Sequence, residues 1–254
     1  GEALLSFSKP FRSLLLNGFT LAEMLITMAI IGVVSAVIMP VLINYLSGRY
    51  IRQAQEMYSV VTKIVRGAEN NAGPIQSWPD NLCANEDFFK EYIEPQMKYT
   101  IKVSKPSYTM PECPPELAHM CTNSSDKVFD HYNSSKAQVY LLANGAALGF
   151  YTTGANSTFI VFDVNGVEEP NRTGVDIYVM SLINSDTVEV EGIRLPIGLN
   201  PVGVGLDKDD KIKYCTKSPY ISPYYNAYSR MTCLALLIED GFTDKNYPIK
   251  SWGK

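Results

Sequence analysis

The residue with the clearest chemical demand in this chain is Glu23, the one charged side chain between residues 19 and 48. The uncharged stretch 24–43 follows it, and as a helix it would cross the hydrocarbon core of a bilayer, about 30 Å. A carboxylate costs about 2.5–3.5 kcal/mol at mid-membrane, so Glu23 needs a partner or a task. Hydrolysis of the peptide bond after Gly18 would give Phe19 a free α-amine four residues from Glu23. We expect this cation, from the same chain or an adjacent copy, to pair with Glu23.

Residues 9–50 resemble the leader and N-terminal helix of type IV pilins and type II secretion pseudopilins. The shared pattern is a short basic leader ending in Gly18, an aromatic Phe19, and Glu23 as the fifth residue after the cut. The resemblance implies cleavage after Gly18 by a prepilin peptidase and N-methylation of Phe19. It also implies that Glu23 pairs with the Phe19 amine of a neighbouring subunit. Other pilin or pseudopilin subunits, an inner-membrane assembly platform and membrane lipid are the implied partners.

Two residues that loosen helices lie within the apolar stretch, Gly32 and Pro40, where pilins often have such residues. Proline removes a backbone hydrogen bond, so we expect Pro40 to kink or locally melt the helix. A simple proline kink in a membrane helix explains Pro40 equally well. A secretory signal peptide would have a shorter apolar region of about 7–15 residues, so a retained membrane helix fits better.

The helix should continue beyond the membrane, since apolar residues keep a helical period as far as residue 70. The positions are Ile51, Ala54, Met57 or Tyr58, Val61, Ile64 or Val65, and Ala68. We therefore predict a leader at 1–18, a helix at 19–70 that spans the membrane at about 24–43, and a globular head at 71–254. Gly73-Pro74 is the expected stop of the helix, and its second half should pack one face on the head.

Charge is spread very unevenly along the chain, although the net charge of −4 and the mean hydropathy of −0.03 suggest an ordinary soluble protein. Residues 1–18 carry a small positive excess and residues 19–48 only Glu23, so the residues from Arg49 onward carry the whole negative charge. Phosphate binding normally shows as a basic excess, so a direct nucleic-acid partner is not expected.

The head reads as a mixture of short helices and strands. The predicted elements are a short helix at 86–93, a strand at 97–103, an irregular loop at 104–126, a hairpin turned by Asn144-Gly145, strands in STFIVFDV and VDIYVMSLI, a short hairpin in DTVEVEGIRLPIG, and a helix from Ser222-Pro223 to about Asp240 capped by Gly241. The lysine-interleaved cluster of Asp207, Asp209 and Asp210 reads as a solvated turn. The expected fold class is α+β: a long N-terminal helix packed on an antiparallel sheet, with a C-terminal helix.

All five cysteines follow the membrane segment, so disulfides are permitted if that part is exported. Cys215 and Cys233 are the first expected pair because they bracket a tyrosine-rich turn and the final helix. Cys113 and Cys121 flank a proline-rich loop and are the second, which leaves Cys83 over; a bond from Cys83 to either of them is the alternative.

Oxygen ligands are concentrated between residues 163 and 176. Asp163, Asn165 and Asp176 are the residues that we would test as calcium ligands, although the glycine comes too early for an EF-hand and its closing glutamate is missing. A strand connection built on Asx turns explains the same residues without a metal. This segment also resembles one that is common in prepilin-like proteins, and some pseudopilins hold calcium in such a loop.

Two functions are compatible with these patterns. The first is a structural, minor filament subunit with a single membrane span and an extracytoplasmic head. The second is a membrane-anchored extracytoplasmic binding module that merely uses this leader. An aromatic patch of Tyr220, Tyr224, Tyr225 and Tyr228 could bind a glycan or protein there, or simply pack a helix on the sheet. The sequence contains no nucleophile elbow, phosphate loop or HExxH pattern, so no enzymatic activity is expected.

Overall fold

The computed structural model of the chain describes residues 20–104, 137–154, 157–166, 168, 171–186, 188–190, 193–216, 230–244 and 247. The chain forms two compact units, Gly1–Tyr45 and Leu46–Lys254. The first contains the beginning of the N-terminal helix. The second contains the rest of that helix and all the other described elements. The predicted leader, 1–18, lies outside the described residues.

Helix α1 runs from Leu21 to Ala72. Gly73 follows with φ +88°, a left-handed conformation that ends helices at little cost for glycine. The helix therefore ends two residues beyond the predicted position, at the predicted stop. It is helical through Gly32 and Pro40, so Pro40 does not interrupt it. The kink expected at Pro40 remains a prediction.

The second half of α1 buries one face, as its periodicity predicts. The buried positions are Ile51, Ala54, Met57, Val61, Ile64, Val65 and Ala68, each at most 4% exposed. They contribute to one core with the aromatic and aliphatic residues of the sheet. Seven such side chains remove enough apolar surface to fix this half of the helix on the head.

A series of short helical turns follows α1. They are Ile75–Ser77, Leu82–Ala84, α2 at Glu86–Phe88, a π-helical continuation at Phe89–Ile93, and a 3-10 turn at Glu94–Gln96. The short helix predicted at 86–93 is confirmed. Asn85 caps it, since its side-chain oxygen accepts the Phe88 N–H at 3.0 Å.

A six-stranded antiparallel sheet forms the centre of the head, in the order β1-β2-β3-β4-β5-β8. The strands are β1 Tyr99–Ser104, β2 Ala137–Leu142, β3 Ala147–Gly154, β4 Ser157–Asp163, β5 Ile177–Ile183 and β8 Gly198–Pro201. A separate hairpin pairs β6 Glu189–Val190 with β7 Ile193–Arg194. The predicted α+β class is confirmed. The pairing of β8 with β5 was not predicted.

Both faces of this sheet are apolar. One face, with Tyr140, Phe150 and Phe162, joins the core that contains α1. The other, with Val139 and Val161, packs in a second cluster that includes Val202, Met231 and the half-buried Tyr214. Side chains alternate between faces along a strand, which explains why β5 is buried along its whole length and β4 from Ile160 to Asp163.

Two helices near the C-terminus correct the sequence interpretation. Residues 208–216 form helix α3, Lys208–Thr216, where a solvated turn was predicted. Asp207 begins it by accepting the Asp210 N–H at 2.8 Å, an N-cap. The last helix, α4, runs only from Cys233 to Glu239, because Arg230 has φ +55° and breaks the longer helix predicted from Ser222. Residues 217–229, including Ser222-Pro223 and the tyrosine patch, lie outside the described residues.

The end of α4 is the predicted one. Gly241 has φ +67°, and its N–H donates to the Ile238 carbonyl at 3.2 Å. The Phe242 N–H donates to the Leu237 carbonyl at 2.6 Å. These two bonds are a Schellman motif, which satisfies carbonyls that the helix end would leave open.

Candidate functional site

Glu23 and Thr20 form a reciprocal capping box at the start of α1. The Thr20 N–H and the Thr20 hydroxyl both donate to Glu23 Oε2, each at 2.8 Å. The Glu23 N–H donates back to Thr20 Oγ1 at 3.3 Å. The first bond along the helix runs from the Met24 N–H to the Thr20 carbonyl at 3.1 Å. The Glu23 carboxylate is therefore held at the mouth of the helix by groups of its own chain.

Thr20 is a partner of Glu23 that the sequence interpretation missed. The side chains near Glu23 in the sequence include no cation, but the Thr20 hydroxyl is a neutral donor within one helical turn. The sequence signal was nevertheless present, because Thr-x-x-Glu before an apolar run is the signature of a capping box.

The helix behind this cap is apolar and exposed. Leu21–Met39 is a stretch of 19 residues with a mean hydropathy of 2.3, none of it buried in the structure. It is the one such helix found in the described part of the chain. Gly32 has open space around its α-carbon. Gly18 and Phe19, the proposed cleavage site, lie outside the described residues.

The acidic loop places Asp163 and Asp176 next to each other at the ends of β4 and β5. Both are fully buried. Asp163 Oδ1 accepts the N–H groups of Asn165 and Gly166, each at 3.1 Å. Asp176 accepts the Asn171 N–H at 2.8 Å and the Arg172 N–H at 2.6 Å. The bonds to Asp163 form the Asx turn that the sequence offered as the alternative to a metal site, whereas those to Asp176 come from residues four and five positions before it.

Burial and the closeness of the two carboxyl groups make negative charge costly in this loop. Burial, followed by the neighbouring Asp163, raises the pKa of Asp176 to about 7. Arg49 of α1 lies 3.9 Å from Glu168, and both are largely exposed. The amide oxygen of Asn171 is buried and has no hydrogen-bond partner in the described part of the structure. Among the described residues no three His, Cys, Asp or Glu form a metal-holding group, so calcium here remains a prediction.

Cys215 and Cys233, the first pair expected from the sequence, are joined in a disulfide that connects α3 to α4. Two ion pairs accompany it, Lys208 with Asp240, and Lys211 with Glu239 at 2.7 Å. Cys83 is buried in the main core. Cys113 and Cys121 lie outside the described residues, so their pairing remains a prediction.

In a comparison with known protein families, residues 17–39 match the prokaryotic N-terminal methylation motif. The match covers the predicted cleavage site, the capping box and the apolar helix. With that helix it fits a prepilin-type pilin or pseudopilin, and it supports a pilin-like substrate of prepilin peptidase. The motif and helix together suggest membrane anchoring and imply assembly with other pilin subunits. No curated protein and no solved structure matches the chain.

Proposed function

We propose that this chain is a minor structural subunit of a type IV pilus-like or type II secretion pseudopilus filament. Prepilin peptidase hydrolyses the bond after Gly18, which leaves the Gly18 carboxylate on the leader and an amine on Phe19. The amine is N-methylated, and the subunit enters the filament through α1. The observation that carries this proposal is the methylation motif at residues 17–39, on an exposed apolar helix with Glu23 at its mouth.

The capping box suggests how Glu23 is tolerated before assembly. Its carboxylate accepts two hydrogen bonds from Thr20, so it is not left without hydrogen-bond partners at the start of an apolar helix. Cleavage after Gly18 leaves the Thr20 N–H and hydroxyl intact. The methylated Phe19 amine of an adjacent copy then supplies the charge that Thr20 lacks, and two buried charges make each other tolerable.

Location and partners follow from the same processing. The helix anchors the chain once in the inner membrane, with the head outside the cytoplasm, and lipid surrounds α1 until the assembly platform passes the subunit to the filament. The Cys215–Cys233 disulfide supports an oxidising location for the head. Cleavage after Gly18 of the 254-residue sequence would leave 254 − 18 = 236 residues, which is large for the main subunit of a pilus and favours a minor role. A structural subunit of this kind has no catalytic task.

Substitutions at Glu23 separate its charge from its capping. Glutamine caps a helix as glutamate does, so E23Q keeps the bonds to Thr20 and loses only the charge, whereas E23A loses both. We expect both variants to be processed and retained in the membrane, and both to be lost from sheared filaments, as measured by immunoblot. Normal incorporation of E23Q would contradict the charge pair. A wild-type chain that never leaves the membrane would instead be the anchored binding module.

A further inference from the structure

A cationic stripe follows the exposed side of the second half of α1. Arg52, Lys63 and Arg66 are exposed, and the same side carries one acidic residue, Glu56. Positions 52, 56, 59, 63, 66 and 70 recur at intervals of three and four, so they lie on one side of the helix. That side is opposite the buried face of Ile51–Ala68. The stripe stands out on a chain whose net charge is −4.

The stripe has no ionic partner within the described part of its own chain. The ion pairs found there use Arg49, Lys102, Lys208, Lys211 and Lys213. None of them involves Arg52, Lys63 or Arg66. Within the described part of the chain, no carboxylate occupies these three cations, which suits them to a partner of opposite charge.

The segment that follows α1 carries the complementary charge. Asp80, Glu86, Asp87 and Glu91 are exposed on the short turns of residues 79–91, and Lys90 is the one cation among them. Glu86 and Asp87 also line a shallow depression with the side chains of Pro79, Asn81, Ala84 and Asn85. This segment, 79–91, is called the acidic segment below.

We propose that the cationic stripe of one copy docks on the acidic segment of a second copy of this chain. The proposal rests on the filament function, because assembly into a filament brings the heads of several copies together. Lys63 and Arg66 are about 4.5 Å apart along the helix axis, a spacing that suits the adjacent carboxylates of Glu86 and Asp87. Each exposed ion pair contributes little binding energy. Several ion pairs formed together nevertheless determine which surface of the neighbouring copy is bound.

Photo-crosslinking in the producing cells tests this contact with the full chain. Two differently tagged copies are expressed together, one with p-benzoylphenylalanine in place of Ser59, an exposed residue within the stripe. We expect inter-copy products in which position 59 is joined to peptides of the acidic segment. K63E/R66E in one copy, or E86K/D87K in the other, should each reduce the yield about fivefold. Combining the two reversals should restore it to within about twofold.

K98E/R194E is the matched control, since it makes the same charge change at exposed residues outside the stripe. It should leave the yield unchanged. Unaffected yields in the stripe variants would overturn the proposal, as would reversals that do not restore one another. Loss with K63E/R66E alone would point to another anionic partner, such as lipid phosphate, and would also overturn it. Cleavage of the leader and the incorporation of E23A into filaments are measured in the same cells. If both give the expected results while the crosslinks do not, the docking proposal fails and the filament function stands.

Discussion

Thr20 determines where α1 begins. It satisfies the Glu23 carboxylate with two donors and accepts the Glu23 N–H in return, while its carbonyl takes the first helical hydrogen bond. The Glu23 carboxylate, for which we propose a later pairing with the Phe19 amine of a neighbouring copy, is thus already bonded within its own helix. Replacement of Thr20 by that amine would keep the carboxylate hydrogen-bonded.

Substitution of Thr20 tests the capping box directly. T20A removes the hydroxyl and should cost about 1 kcal/mol of local helix stability. Amide hydrogen exchange of Glu23 and Met24, whose N–H groups bond to Thr20, should therefore become about fivefold faster in detergent-solubilised processed protein, since local opening sets that rate. T20S keeps the hydroxyl and is the control. Equal exchange in T20A and wild type would contradict the cap.

The two buried carboxylates of the acidic loop make a specific demand on their surroundings. Asp163 and Asp176 lie together with no exposed surface, and their backbone donors carry no full positive charge. A divalent cation would offset the repulsion between these two buried carboxylates. The Asn165 and Asn171 side chains add oxygens of the kind that calcium prefers.

Calcium should therefore stabilise the head. At 100 times the dissociation constant a ligand adds about 2.7 kcal/mol, so Tm should rise by about 5–10 °C relative to a chelator. D163N and D176N, which keep an acceptor oxygen, should abolish the rise, and D209N on α3 should retain it. The same Tm with calcium and with chelator would exclude a calcium site in this loop.

At the scale of elements, α3 and α4 depend on one covalent link. They are short, 9 and 7 residues, and helices of this length are marginal without tertiary support. The disulfide joins residues that are 18 apart in sequence, and the two lysine–carboxylate pairs span the same contact. The bond stabilises chiefly by restricting the unfolded chain.

Removing this link should be measurable by denaturant unfolding. C215S/C233S should lower the free energy of unfolding by about 3 kcal/mol, as expected for a loop of this size. S59A, a change at an exposed position, calibrates the measurement and should stay within about 0.5 kcal/mol of wild type. A double variant as stable as S59A would show that the bond does not support α3 and α4.

Elements with a local signal were predictable and those defined by tertiary contact were not. The buried face of α1 follows its 3.6-residue period. The Asn144-Gly145 pair predicts a turn because glycine readily takes a left-handed conformation, and Gly145 has φ +87°. Strand β8, by contrast, is half-exposed and contains Pro201, so its membership of the sheet depends on pairing with β5. Helix α3 looked like a turn because its residues are mostly charged, and packing against α4 stabilises it.

At the scale of the molecule, the candidate site could be proposed from local sequence. Glu23 is four residues from Phe19 in the sequence, and the cleavage site itself remains a prediction. The contribution of Thr20 was equally local, but was visible only when helix capping was considered besides charge. The cationic stripe, by contrast, required knowing which side of α1 the head covers.

The N-terminus of the protein made by its native producer tests the central claim most directly. Intact-mass and tandem mass spectrometry of filament and membrane fractions should find a chain that begins at Phe19 and carries one methyl group on its α-amine. Glu23 should be unmodified in the same N-terminal peptide. A chain that keeps residues before Phe19, or that is cut elsewhere, would contradict processing as a prepilin-type subunit.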